Sequence, residues 1–276
     1  MLARVGLALP FALALAAAHV STAAAQGVPP PPPPPPSGDP VVDAGGGYPA
    51  SVVDRPLILP SGTAEITGYF WIPTNDGIDL FDYVSMVVSG RYSMGTIEPF
   101  AGAELAVITP DGSEVDALQA LFAGVGAALG PGVARGQITK LGVDADASWF
   151  VLTGRYEYKQ KLQPKLALVA DGGLEINMLS ADPDFSANAI YLSVAGAGQA
   201  QLSPVVAFQG GLRLNVPISS GDNQDPDVFT WNTVTQLYGE GLYNMGKLDL
   251  FARLGFNLVE DSTTTAFVVG VLARPM

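Results

Sequence analysis

Residues 164–178 read PKLALVADGGLEINM, and this stretch decides the fold. From Leu166 to Met178 every second residue is apolar or glycine, and the positions between them include Asp171 and Glu175. Successive side chains of a β-strand point to opposite faces, so this period of two predicts a strand with one apolar and one polar face. The run is longer than the usual strand of about 5–6 residues and suits the ~9–11 residues that a tilted strand needs to cross a membrane.

The same alternation recurs along most of the chain. It is clear at 206–216 and 248–258. Weaker examples lie at 62–73, 82–93, 95–108, 148–160, 188–201, 229–243 and 263–274. The pattern predicts an all-β fold, a closed antiparallel transmembrane up-and-down β-barrel.

The stretch 114–146 has two interpretations. Apolar residues from Val115 to Val125 have helical spacing, which would place a helix inside a long loop. Alternatively, 115–128 and 134–145 are two strands joined by a turn at Gly130-Pro131-Gly132. We favour the second interpretation, which predicts twelve strands, over ten strands plus a loop helix.

The predicted connections alternate in length. Those at 94–95, 130–132, 161–164, 202–203 and 245–246 are short, whereas those at 74–80, 109–114, 179–187 and 218–228 are longer. Short turns at one end and long loops at the other are typical of bacterial outer-membrane barrels.

The N-terminal region predicts export. Residues 1–25 have a basic start, a short apolar run and three small residues, Ala23 to Ala25, as in a cleaved signal peptide. Residues 26–56 contain the unbroken proline run Pro29–Pro36 and predict a periplasmic linker, either a plain spacer or a ligand for a proline-binding partner. Residues 57–276 are then the outer-membrane β-barrel, and the predicted location is the outer membrane of a Gram-negative cell.

Composition agrees with a barrel. The chain is 48% hydrophobic and only 14% charged, which is low in charge for a soluble exported protein. Beyond the signal, no stretch approaches the ~18 continuous apolar residues that a transmembrane helix requires. A β-barrel accounts for both observations. Only alternate residues of its strands face lipid, so the chain can be hydrophobic without a continuous apolar run.

The residue inventory argues against catalysis. There is no cysteine, and the only histidine, His19, lies in the predicted signal. The mature chain would lack the usual base, thiol nucleophile and zinc ligands, so we predict that it is not an enzyme and binds no cofactor. A formal net charge of −13 argues against a nucleic-acid partner.

By alternation, many charged residues face the barrel interior. The predicted lumen-lining residues are Glu65, Arg91, Glu104, Arg155, Glu157, Asp171, Glu175, Arg213, Glu240, Asp249 and Arg253, and Glu98 and Lys159 fall on the same face. In one interpretation opposite charges pair and fill the narrow lumen. In the other they line a water-filled pore whose excess of acids favours cations.

The predicted outer loops are rich in acids. Turns favour Asp because its side chain forms local hydrogen bonds, and this preference explains the acidic residues without any ligand. Alternatively, these acids gather divalent cations shared with lipopolysaccharide. Asp222, Asp225 and Asp227 offer closely spaced oxygen ligands of the kind that Ca²⁺ prefers.

The segment RPLILPSGT at residues 55–63, leading into AEITGY at 64–69, carries a resemblance. It is similar to the opening of uncharacterised porin-like outer-membrane β-barrel proteins of myxobacteria-like proteobacteria. The resemblance implies an outer-membrane location and solute passage. It carries no catalytic residues.

The sequence favours a narrow passive channel, a porin-like transporter for small solutes or ions, whose partners are membrane lipid and lipopolysaccharide. A structural or adhesive surface barrel with a sealed lumen and acidic extracellular loops is the alternative. A soluble exported β-sandwich or ligand-binding barrel is the third hypothesis. Fold alone does not choose among these functions.

Overall fold

The computed structural model of the chain describes residues 43–44, 48–75, 79–110, 117–142, 148–182, 185–220, 233–259 and 262–275. The predicted signal peptide and the proline run lie outside the described residues. So do Asp222, Asp225 and Asp227, and the calcium prediction stays a prediction.

Twelve antiparallel strands close into one barrel, as the alternation predicts. They are β3 (Ala64–Thr74), β4 (Val84–Tyr92), β5 (Ile97–Ile108), β6 (Leu118–Leu129), β7 (Gly132–Leu141), β8 (Ser148–Gln163), β9 (Leu166–Asp182), β10 (Phe185–Gln201), β11 (Val206–Ser220), β12 (Val234–Asn244), β13 (Leu248–Val259) and β14 (Ser262–Ala273). Each strand pairs with its neighbours in sequence, and β14 pairs with β3 to close the barrel. The all-β, twelve-strand prediction is confirmed.

The ambiguous stretch contributes the strands β6 and β7, and the alternative of a loop helix is wrong. Gly130 and Pro131 alone separate the two strands, and Gly130 has a φ of 58°, which suits glycine. On the inner face of β6, Phe122 is followed by Gly124 and Gly126. Because glycine, alanine and apolar residues occupy both faces there, the period of two is hard to see in the sequence.

The strands are 9 to 17 residues long. The longest, β9 and β10, leave only residues 183–184 between them, so the predicted loop 179–187 is shorter than expected. The pairing of Ser180 with Ser186 shows that the ladder continues into this stretch. The aspartates and the proline at 182–184 are residues that favour a turn.

The two faces of the barrel differ as the sequence predicts. Apolar side chains such as Leu168, Phe208 and Leu250 point outward and are largely exposed. Residues paired across neighbouring strands share a face, and the register aligns Glu157 with Asp171 on the opposite, inner face. An apolar exterior around a polar interior is the arrangement of a barrel that sits in lipid. In the part of the chain that the structure describes, no helix has the length and apolar character of a membrane span.

The two ends of the barrel are different. The connections 93–96, 130–131, 164–165, 202–205 and 245–247 are short and lie at one end, with the start of β3 and the end of β14. We call this the turn end and the opposite one the loop end.

The residues before β3 also lie at the turn end. Strand β1 (Asp43–Ala44) pairs with β2 (Tyr48–Pro49), and a single 3₁₀ turn follows at Val52–Asp54. The side chains of Tyr48, Val52, Val53 and Leu59 are buried. Residues 48–56 belong to the predicted linker 26–56, but they pack into the barrel, where the apolar side chains of Tyr48, Val52 and Val53 are buried.

Candidate functional site: the barrel lumen

All eleven predicted lumen-lining residues lie on the inner face. The pairing register connects them from Glu65 opposite Arg91 to Glu240 opposite Arg253, with register shifts only near strand ends, and paired residues point the same way. The register also places Glu98 and Lys159 on this face, as the alternation predicts, and it adds Arg135. The lumen is therefore lined with charged side chains from most of its strands.

Asp249 is the centre of the charged cluster at the turn end. Its carboxylate has no exposed surface and accepts hydrogen bonds from Arg55 at 2.6 and 3.0 Å, from Arg274 at 2.6 Å and from Asn244 at 2.7 Å. Arg274 also pairs with Glu65 at 3.1 Å. Each buried charge thus has a counter-charge, as burial requires.

The ion pairs continue around the barrel from Glu65. Arg91 bridges Glu65 at 2.6 Å and Glu98 at 3.1 Å, and Arg135 bridges Glu98 and Glu157, both at 2.9 Å. We call this chain of ion pairs the belt: Arg55, Asp249, Arg274, Glu65, Arg91, Glu98, Arg135 and Glu157. It links residues of β13, β3, β4, β5, β7 and β8, and so follows about half of the inner circumference.

Residues 48–60, which we call the strap, cross the barrel at the level of the belt. The Val52 amide donates to Gln201 Oε1 on β10 at 2.8 Å, and the Leu59 amide donates to Glu98 Oε2 on β5 at 2.8 Å. Lys159 on β8 donates to the carbonyl oxygens of Val52 at 2.6 Å and Arg55 at 2.9 Å. Because these partners belong to strands on different sides of the barrel, the strap lies across the turn end.

Further contacts hold both ends of the strap. Arg135 Nη2 donates to the Leu57 carbonyl at 2.7 Å, and Lys161 forms an ion pair with Asp54. The Tyr48 ring lies 4.2 Å from the Arg274 guanidinium and 5.6 Å from that of Arg55. Burial, with the charge of Glu65 as a second cause, raises the pKa of the Tyr48 phenol. The ring therefore stays neutral and offers its face to both arginines.

The strap separates two spaces. Toward the loop end it borders a cavity of about 530 Å³, lined among others by Tyr48, Arg91 and Gln209. On its other side, a cavity of about 520 Å³ is lined by residues 53–61 and the turn residues Gly95 and Gly130. Arg55, Pro56 and Leu57 line both, so the strap is the wall between the lumen and the turn-end opening.

A third cavity, also of about 520 Å³, lies inside the barrel against β3, β12, β13 and β14. It shares Glu240, Leu242, Arg253 and Leu272 with the cavity above the strap. We call these two continuous cavities the chamber.

The remaining predicted residues form shorter pairs nearer the loop end. Arg213 meets Asp171 at 3.1 Å, and Arg155 lies 3.7 Å from Glu175. Separately, Arg253 Nη2 pairs with Glu240 at 2.6 Å. Glu104 accepts a 2.6 Å hydrogen bond from the Ser85 hydroxyl. The predicted residues thus form several groups rather than one.

Three arginines of the site were absent from the sequence-based set. Arg135 lies in the ambiguous stretch, Arg55 in the predicted linker and Arg274 near the chain end. Alternation could have found two of them, since Arg135 is in phase with Gln137 and Arg274 with Leu272. With these three included, the inner face of the described residues no longer has an excess of acids, which removes the argument for cation selectivity.

The described part of the lumen has no group of metal ligands. Among the described residues, no three His, Cys, Asp or Glu side chains are grouped as a metal ion would need. The carboxylates of the belt already face arginines.

No protein-family description matches this sequence, and no curated protein is significantly similar to it. Solved structures do match. An outer-membrane channel from Pseudomonas putida F1 has 14% identity and a TM-score of 0.53, over 79% of this chain and 97% of that one. The fold is that of outer-membrane barrels.

Two other solved structures are also similar to this barrel. The translocator domain of the autotransporter NalP from Neisseria meningitidis has 14% identity and a TM-score of 0.55, over 79% of this chain and 90% of that one. The NanC porin has 7% identity and a TM-score of 0.53, over 76% of this chain and all of that one. At such identities the likeness concerns architecture alone, because one fold serves many functions.

Proposed function

We propose that the chain is a narrow passive channel of the Gram-negative outer membrane for small solutes or ions, with the strap as its gate. The observation that carries this proposal is the chamber, a space inside the barrel that the strap, with Lys159 of β8, separates from the turn-end opening. A wall made of one segment, rather than of the barrel itself, can move without unfolding a strand.

Orientation follows from the connections. Bacterial outer-membrane barrels have short periplasmic turns and longer extracellular loops. The turn end is then periplasmic, which agrees with an N-terminal segment that arrives from that side after export. A solute would enter the chamber from outside and leave when the strap moves.

The strap is held by contacts that can be exchanged for water. Arg55 and Lys159 supply four of its hydrogen bonds to the barrel, through Asp249 and through the carbonyls of Val52 and Arg55. If Arg55 is lost, Asp249 keeps Arg274 and Asn244 as partners. The strap can therefore be loosened without leaving the buried carboxylate unpaired.

Planar-bilayer recording of refolded protein tests this proposal. We expect brief openings in the wild type and a higher open probability in Arg55→Gln/Lys159→Gln. A matched control is Lys165→Gln/Lys247→Gln, which removes two exposed positive charges from the turns. The control should keep the wild-type open probability, because its lysines lie in the turns and not against the strap.

The outcomes separate two parts of the proposal. Equal open probability in the wild type and the strap variant would exclude the strap as gate. Absence of discrete conductance steps in the wild type, the strap variant and a variant lacking residues 48–60 would exclude a channel.

A barrel with a sealed lumen, structural or adhesive, is the second candidate. The buried strap favours it, since its side chains at Val53 and Leu59 have almost no exposed surface. In that case the acidic extracellular loops would meet lipopolysaccharide, divalent cations or a surface partner. Loop deletions that change surface binding and leave permeability unaltered would support this candidate over the channel.

A further inference from the structure

The part of the chamber against β3, β12, β13 and β14 differs from the rest of the lumen. Its wall carries the aromatic side chains of Tyr69, Trp71 and Phe251, together with Val268 and Leu272. The register places all five on the inner face. A lumen that only conducts water and ions has no need of an apolar wall, so this composition calls for an explanation.

The rings are fixed in place. Tyr69 and Phe251 meet edge to face, with 6.3 Å between ring centres. Gly270 lies beneath them, and a Cβ there would come within 2.6 Å of both side chains. Trp71 packs edge to face against Tyr83 at 6.0 Å. The apolar wall is therefore a preformed surface, which favours flat apolar ligands.

One arginine at the edge of this wall, Arg253, is more exposed than the others. The Arg253 side chain is 42% exposed, whereas the other arginines with inner-face ion pairs are 25% exposed or less. Its guanidinium lies 5.0 Å from the Tyr238 ring centre, and Glu240 accepts from its Nε and Nη2. A guanidinium has five N–H donors and Arg253 lines the cavity, so donors that Glu240 does not occupy are available to a ligand there. Glu240 is mostly buried, and the accessible charge is positive.

We propose that this cavity binds a small carboxylate with a planar apolar body. The ring would lie against Tyr69, Trp71 and Phe251, and the carboxylate would meet Arg253, which pairs with carboxylates in a favourable planar geometry. A volume of about 520 Å³ lies in the range of small-molecule pockets and leaves room for such a ligand together with water. The proposal rests on the proposed function in that the bound molecule would be the solute on its way through the barrel.

Calorimetry on detergent-solubilised protein tests the proposal, with benzoate as the probe. Acetate lacks the ring and benzyl alcohol lacks the charge, so both should bind more weakly than benzoate. The double variant Arg253→Gln/Glu240→Gln removes the charge without stranding the buried Glu240. We expect it to weaken benzoate binding by about tenfold or more, the scale of a charged hydrogen bond, and to leave benzyl alcohol unchanged.

A variant with a larger side chain in the cavity provides a second test of the binding site. Gly255 lines the cavity, and a Cβ there would have no neighbour closer than 3.7 Å. Gly255→Leu should therefore fold, place a large apolar side chain in the cavity and weaken benzoate binding. Gly241→Leu is the matched control, because Gly241 faces outward into open space. Benzoate affinity should be unchanged in this control.

Binding and conduction are measured separately, which keeps the two proposals apart. If the protein conducts but does not bind benzoate, or if Gly255→Leu binds as well as the wild type, this inference is overturned and the channel stands. If benzoate binds as described but no variant conducts, the site stands and the channel does not.

Discussion

Asp249 is a carboxylate without exposed surface that accepts hydrogen bonds from Arg55, Arg274 and Asn244. Two guanidiniums therefore share this one counter-charge, although Arg274 also reaches Glu65. Removing one partner of a buried pair leaves the other charge without compensation, and this costs more than the pair itself contributes.

We predict that Asp249→Asn lowers the free energy of unfolding by about 3–5 kcal/mol. Urea unfolding in lipid vesicles, followed by tryptophan fluorescence, measures this change. The comparison is Asp171→Asn, which affects a single, partly exposed pair with Arg213 and should cost less than about 2 kcal/mol. Equal losses in the two variants would show that the belt does not stabilise the turn end.

The fit between aromatic rings and glycines can also be tested at single residues. A Cβ on Gly124 would lie 2.3 Å from the Gly136 carbonyl oxygen and 2.4 Å from the Phe100 ring. We predict that Gly124→Val destabilises the barrel by about 1–3 kcal/mol or prevents folding, as overpacking does. Gly136 on the next strand has open space, so Gly136→Val should be tolerated. Gel mobility before and after heating reports the folded fraction, and an equally poor yield of both variants would contradict this packing.

At the scale of the elements, the strands could be predicted well because lipid and lumen impose opposite demands on alternate residues. The run from Leu166 to Met178 is unambiguous for this reason. Strands β6 and β7 were less clear, since small and apolar residues occupy both faces of β6. Gly124 of β6 makes room for the Phe100 ring of β5, and a requirement of this kind depends on pairing that a single strand does not display.

The strap could not be predicted, for a different physical reason. Its three prolines, Pro49, Pro56 and Pro60, and the irregular spacing of its apolar residues give no periodic signal. Its burial depends on partners more than 30 residues away in sequence, such as Glu98 for the Leu59 amide and Gln201 for the Val52 amide. The inner-face charges followed from alternation, but their pairing follows only from the closure of the barrel.

At the scale of the whole molecule, the account depends on one arrangement. The barrel presents apolar side chains outward, encloses a chamber of paired charges and aromatic rings, and carries its own N-terminal strap across the turn end. The channel, the gate and the carboxylate site all require that inward-facing side chains contact water while their neighbours contact lipid.

Site-directed fluorescence labelling tests this arrangement most directly, because the chain has no cysteine of its own. Single cysteines at each position from Leu168 to Ile176 of β9 would be labelled with an environment-sensitive dye in refolded vesicles. The account predicts blue-shifted emission at even-numbered positions, which face lipid, and emission quenched by a water-soluble agent at odd-numbered ones. Emission that does not alternate along the strand, or that reports water at every position, would contradict it.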